Sequence, residues 1–112
     1  MGDSYLDLVD TVRISPMTLS RSKKILNSAR GEDCTLRLIG ICNFNPETTI
    51  AAHIGYRRGM AIKCGDNMVV YACSNCHQAI DSSGREDYAA DKVRALEETQ
   101  EKLIEKGLMV IA

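Results

Sequence analysis

The sequence predicts a small α+β domain. Three features carry that expectation: two short β-rich stretches running into His53 and Cys73, one long amphipathic stretch near the C-terminus, and cysteines placed close to the β-rich segments. Residues 1–19 have no clear period and include Ser15-Pro16, so they read as a loosely held arm with at most a short helix at Tyr5–Val12. The domain proper is expected over residues 20–112. Ser20 or Ser22 caps a short helix through Arg30, and Gly31 follows where a left-handed residue ends helices. Thr35–Ile41 is β-rich and bracketed by Cys34 and Cys42, and Asn43-Phe44-Asn45-Pro46 reads as a loop. Thr48–Ile54 is β-branched enough to be a strand ending at His53. Residues 55–67 form a loop, Met68–Ala72 a short apolar strand, and Cys76–Ser82 the start of a helix. From Tyr88 to Lys106, Ala89, Val93, Leu96, Leu103 and Ile104 recur at helical spacing, Glu98 and Lys102 sit four apart, and Gly107 supplies a stop. Leu108–Ala112 adds an edge strand or tucks against the core.

A chain of 112 residues with 45% apolar and 26% charged residues fits one ordinary globular domain. With one Phe and no Trp the aromatic share of its core is small, so an internal staple would be useful. No apolar run approaches the roughly 20 residues needed to cross a bilayer, and the acidic start MGDSYLDLVD lacks the blocks of a secretory signal. Both point to an intracellular protein without a membrane partner. The net charge of −1 hides a segregation: residues 1–10 carry −3, residues 11–63 carry +6 and residues 64–112 carry −4. A basic half of that kind either faces phosphates or is a solvated surface.

In a reducing compartment, cysteines at short spacing serve as metal ligands more often than as disulfide partners. Cys73-Ser74-Asn75-Cys76 is a C-x-x-C knuckle, whose two sulfurs can approach one zinc at about 2.3 Å each. Cys34 and Cys42 either complete a Cys₄ tetrahedron or are buried small residues; Cys64 has no partner at ligand spacing. His77 follows the knuckle directly and Asp81 lies four residues on, so on a helix the two share a face and could grip a second divalent ion. An imidazole with a carboxylate suits Mg²⁺, Mn²⁺, Ni²⁺ or Zn²⁺ alike. His53, at a strand end in the basic half, is either a core histidine or a proton-transfer group beside a loop with room for a substrate.

The order of a cysteine pair, a strand ending in A-H-I, a loop, a strand, C-x-x-C-H and a helix resembles zinc-containing HNH endonucleases. More closely, Ala29–Cys34, Cys42-Asn43, Asn45–Thr48, Ala52-His53-Ile54 and Ala72–Asp81 resemble the YbcO-like nucleases of lambdoid phages and prophages, over roughly residues 28–112. The resemblance implies a zinc-stapled ββα-metal (HNH or treble-clef-like) domain with a long C-terminal helix, working in the bacterial host cytoplasm. It implies that His53 is the general base and His77 a metal-binding histidine, both catalytic. Cys34, Cys42, Cys73 and Cys76 then hold a structural Zn²⁺, and His77 with Asp81 holds a catalytic Mg²⁺ or another divalent ion. The pattern departs from the family in three places. Ala52 stands where many HNH enzymes have an Asp ligand, the central Asn is either Asn67 or Asn75, and the first cysteine pair is widened.

The expected activity is metal-dependent hydrolysis of phosphodiester bonds in double-stranded DNA, serving phage recombination, repair or genome processing. Arg57, Arg58 and Lys63, in the loop after His53, would position phosphates without reading sequence. The alternative is a non-catalytic zinc-finger-like nucleic-acid-binding module in which both histidines pack, an alternative favoured by Ala52. A zinc-stabilised protein-interaction domain is the third reading.

Overall fold

The computed structural model describes residues 19–57 and 63–112. The short helix expected at Tyr5–Val12 and residue Arg58 lie outside these. In chain order the elements are α1 (Lys23–Asn27), a 3₁₀ turn (Pro46–Thr48), β1 (Ile50–His53), β2 (Val69–Ala72), α2 (Ser74–Asp81) and α3 (Ala89–Glu105). The two strands pair antiparallel, with Ile50 opposite Ala72 and His53 opposite Val69. This α+β arrangement, closed by a long C-terminal helix, is the one the sequence predicts.

A two-stranded sheet is marginal by itself, so both faces and the free edge of β2 need cover. Alternation splits the faces. Val70 and Ala72 of β2, with Ala52 of β1, enter a core cluster with Cys34, Leu36, Leu38, Cys73, Cys76 and Ile80. Val69 and Tyr71 turn the other way, against Ile25, Ala29 and Leu103, with Ala51 packed beside them. All four residues of β2 are consequently buried.

The edge is closed by hydroxyl groups. The Thr35 amide donates to the Tyr71 carbonyl at 2.7 Å, and the Tyr71 amide donates to Thr99 Oγ1 at 3.2 Å. Thr35 Oγ1 and Thr99 Oγ1 are 3.0 Å apart, and both threonines are buried. A backbone pair left bare by the missing third strand is thereby satisfied from α3 and from the cysteine loop. Arg94 of α3 adds two hydrogen bonds of 2.7 Å to the carbonyls of Thr35 and Leu36.

Several expectations need correction. Thr35–Ile41 is not a strand: Arg37 (φ 43°) and Gly40 (φ 74°) are left-handed, which winds the segment into turns while Leu36 and Leu38 stay buried. The first helix ends at Asn27 rather than Arg30, capped by Ser22, and a turn leads to Gly31 at φ 76°. The buried stripe of α3 is Ala95, Thr99 and Leu103, whereas Ala89 is exposed and Val93 is 68% exposed. Apolar packing of Ala95 and Leu103 and the hydrogen bond from the β2 edge to Thr99 together orient that helix. Glu98 accepts from Arg37 at 2.7 and 2.9 Å and from Arg94 at 3.0 Å, while Lys102 lies 4.0 Å from Glu32. Tertiary partners thus replace the local Glu98–Lys102 pair. Leu108 and Met109 tuck against the second cluster without forming a strand, and Val110 and Ile111 are exposed.

Thr99→Val keeps the shape of the stripe but removes the acceptor for the Tyr71 amide. Leaving that amide unpaired is expected to cost about 1–3 kcal/mol and to lower Tm by roughly 5–10 °C in a thermal melt. An unchanged Tm would remove the edge-closing role assigned to Thr99.

Candidate metal and catalytic sites

Four thiols converge between the turn-rich loop, the end of β2 and the start of α2. The sulfurs of Cys34, Cys42, Cys73 and Cys76 all lie within 4.8 Å of one another, and they are the one group of three or more potential ligands found among the described residues. Cys73 Sγ and Cys42 Sγ are 3.8 Å apart, close to the edge of about 3.8 Å in a regular tetrahedron with metal–sulfur bonds near 2.3 Å. Three backbone amides, of Arg37, Phe44 and Cys76, point at sulfurs of Cys34, Cys42 and Cys73, each at 3.4 Å. Two of those amides belong to left-handed residues, Arg37 and Phe44 (φ 54°). The long C-x₇-C spacing is accommodated by these turns.

Charge within the quartet is uneven. Burial pushes the Cys73 thiol up, but amide donors from Asn43 and Cys76 and the neighbouring thiols outweigh it and bring the group down to about 7. Burial drives Cys42 and Cys76 upward. Ionised together, four sulfurs this close would need a cation, and a dication bound by sulfur would satisfy all of them. The donor set and geometry therefore fit a structural zinc. Cys64 stands apart, buried against Gly55, where an added Cβ would lie 3.0 Å from both its Cβ and its Sγ.

On the other face of the sheet, His53 ends β1. His53 shares its side of the strand with Ala51, away from Ala52 and from the cluster that α2 covers. Its Nε2 lies 2.8 Å from Asp66 Oδ1, and the two side chains are 11% and 5% exposed. Asp66 also accepts from the Ser22 amide at 2.7 Å, and Arg21 lies 3.6 Å away. Burial opposes the charge on Asp66, yet the bonds from His53 and Ser22 prevail and hold the carboxyl below its ordinary range. Residues 20–22 latch this loop in place: the Asp66 amide donates to the Ser20 carbonyl at 2.9 Å, and the Arg21 guanidinium donates to the carbonyls of Cys64 and Lys63 at 2.7 and 2.8 Å.

Asp66 is the residue that sequence reasoning missed. In the chain it is only the middle of a Gly-Asp-Asn turn. The available signal was the hairpin itself, because antiparallel pairing folds the residues before β2 back beside the end of β1.

His77 Nε2 and Asp81 Oδ2 meet at 3.2 Å on one face of α2, 35% and 66% exposed. The two histidines thus sit in separate pairs, and the strand turns His53 away from the face that α2 packs on. Ala52 is 2% exposed within the core. Asn67 is engaged with the Ser20 hydroxyl at 2.8 Å, and Asn75 with Asn43 Nδ2 at 3.3 Å. Arg57 and Lys63 are exposed after His53. Arg21 and Arg37, counted among the bases of the positive half, are spent on internal contacts.

The purified protein is expected to hold about one zinc per chain by elemental analysis. Cys73→Ser or Cys76→Ser is expected to unfold it, since structural zinc contributes on the order of 10 kcal/mol to folding. A metal-free protein whose Tm is unmoved by chelator would overturn the zinc staple.

Known proteins bear on this site. The family model described as "Putative nuclease YbcO" matches residues 23–107. Over 56 residues the chain is 45% identical to "Putative nuclease YbcO" of Escherichia coli (strain K12) and to "Putative nuclease ybcO" of Enterobacteria phage 82, a match covering 48% of this chain and 58% of each relative. The chain therefore spans little more than half the length of those relatives. A solved structure titled "Structure of a putative bacteriophage protein from Escherichia coli str. K-12 substr. MG1655" superposes with a TM-score of 0.60 at 31% identity, over 73% of this chain and 98% of that one. The family match takes in α1, both strands, the four cysteines, both histidine pairs and α3, and the chain belongs to the YbcO nuclease family.

Proposed function

We propose that the protein is a metal-dependent HNH-type endonuclease of the ββα-metal class that hydrolyses phosphodiester bonds in DNA, in phage recombination, repair or genome processing. The observation that carries the reading is the buried His53–Asp66 pair at the tip of β1. Asp66 holds the proton on Nε2 and leaves Nδ1 as the lone pair that takes a proton from the attacking water. An acid buried behind the imidazole also stabilises the imidazolium that forms.

His77 and Asp81 are the residues that would hold a divalent ion. An open site of one imidazole and one carboxylate suits a hydrated Mg²⁺ or Mn²⁺, which keeps several waters and takes further ligands from substrate phosphate. When bound, the ion would stabilise negative charge on the scissile phosphate and the leaving oxygen. Arg57, Arg58 and Lys63 would meet flanking phosphates. Residues 20–112 form the working unit in this reading, because Ser20–Ser22 order the loop of Asp66, and residues 1–19 are dispensable for chemistry. The second reading, a zinc-stapled nucleic-acid-binding module without catalysis, is favoured by the buried Ala52 in the place of a ligand.

A plasmid-nicking assay with Mg²⁺, Mn²⁺ and EDTA separates the two. His53→Ala is expected to lower cleavage by roughly 10²-fold or more while zinc content, Tm and DNA affinity stay near wild type. Activity lost in His77→Ala or Asp81→Ala should return in part as Mg²⁺ or Mn²⁺ rises, because removing a ligand weakens metal affinity first. Wild-type protein that nicks under none of these ions, or a His53→Ala variant as fast as wild type, sinks the enzyme reading.

Binding is a separate expectation. Arg57→Ala with Arg58→Ala should flatten the log–log salt dependence of duplex affinity by about 0.9 for each phosphate that is no longer neutralised. An unaltered slope would return that loop to ordinary solvated surface.

A further inference from the structure

Between α1 and β1, on the sheet face that carries His53, lies a pocket of about 270 Å³. Its polar wall is Asn27, Arg30, Thr49, His53 and Lys63, and its apolar wall includes Leu26 and Ala51. Among the described residues no acidic side chain lines it. Elsewhere in the chain Arg21, Arg37, Arg94, Lys102 and Lys106 each face a carboxylate. Arg30 and Lys63, both exposed, have no ion-pair partner among the described residues. Two unpaired cations beside an acid-free pocket make an anion site.

Thr49 adds an independent sign. It is 3% exposed, and its Oγ1 is the one buried side-chain polar atom without a hydrogen-bond partner among the described residues. A buried hydroxyl left unpaired is a cost to the folded state unless a ligand supplies the partner. The volume sets the size of that ligand. At about 270 Å³ the pocket falls just below the usual range for small-molecule sites, which leaves room for one nucleotide's sugar and phosphate and not for a base pair.

We infer that this pocket binds a single unpaired nucleotide of the substrate strand next to the bond that is cut, its phosphate on Arg30 and Lys63 and a sugar or phosphate oxygen on Thr49. The link to the cut bond rests on the nuclease reading above; the nucleotide site does not. Taking a nucleotide out of a paired stack costs a few kcal/mol, so strands with free ends, flaps or gaps bind more readily than blunt duplex. Leu26 and Ala51 give the sugar an apolar floor.

The test is fluorescence polarisation of labelled oligo(dT) on the zinc-bound full chain, without added Mg²⁺ or Mn²⁺ so that binding is read apart from cleavage. Thymidine 3′,5′-bisphosphate is expected to compete, and a short blunt duplex to compete less well. Arg30→Ala and Lys63→Ala are each expected to weaken oligo(dT) binding roughly tenfold, on the scale of a charge-assisted hydrogen bond. Thr49→Val should weaken binding severalfold while Tm stays level or rises, because it deletes an unsatisfied hydroxyl; a purely structural Thr49 would not separate these readouts. Failure of the bisphosphate to compete, or wild-type binding in all three variants, overturns the site. Competition and variant effects without any plasmid nicking would keep the nucleotide site and discard the nuclease reading. Nicking with unaltered binding in the variants would do the reverse.

Discussion

Four sulfurs crowded within 4.8 Å are the constraint on which the rest of this structure depends. The cluster could hold a metal ion, and it joins three parts of the chain: the loop of residues 34–44, the end of β2 and the start of α2. Turn-forming residues in left-handed conformation, Arg37, Gly40 and Phe44, bend that loop back on itself. Leu36 and Leu38 are then pressed into the core beside Ile80. In a chain with one Phe and no Trp, a metal held there would take the part that aromatic bulk plays in other small domains.

From this staple the fold extends through β2, the one strand buried along its whole length. One side of the sheet faces the sulfurs and α2; the other faces α1, Leu103 and the His53–Asp66 pair. The division puts the four sulfurs and the His53–Asp66 pair on opposite faces. The imidazole is held by a carboxylate anchored to Ser20–Ser22, and the thiolates lie across the sheet from it. The threonine pair at the far edge, Thr35 and Thr99, ties α3 to the same strand, so α3 serves as a third strand's substitute.

Charge follows the same division. The basic excess of residues 11–63 is smaller on the outside than it looks in the chain, since Arg21 and Arg37 hold backbone carbonyls and a carboxylate. Two of the cations without an ion pair among the described residues, Arg30 and Lys63, line the pocket beside His53. Folding thus sets positive charge on the face of the sheet that carries His53.

The sequence by itself determined the α+β class, the two strands to within a residue or two, the helix that ends at Gly107, the C-x-x-C knuckle and the proximity of His77 to Asp81. Each of these depends on neighbours a few positions apart, where strand alternation, helical spacing and ligand spacing apply directly. Tertiary structure alone decided what depends on distant partners. It bent residues 35–41 into turns to serve sulfur, and it chose Thr99 over Val93 as the inner face of α3 because a β2 amide needed an acceptor. It brought Asp66 under His53 through the hairpin, and it left the Thr49 hydroxyl without a hydrogen bond. Hydropathy and motif spacing cannot report these four, since each follows from a backbone or side-chain group whose partner is supplied only when remote segments meet.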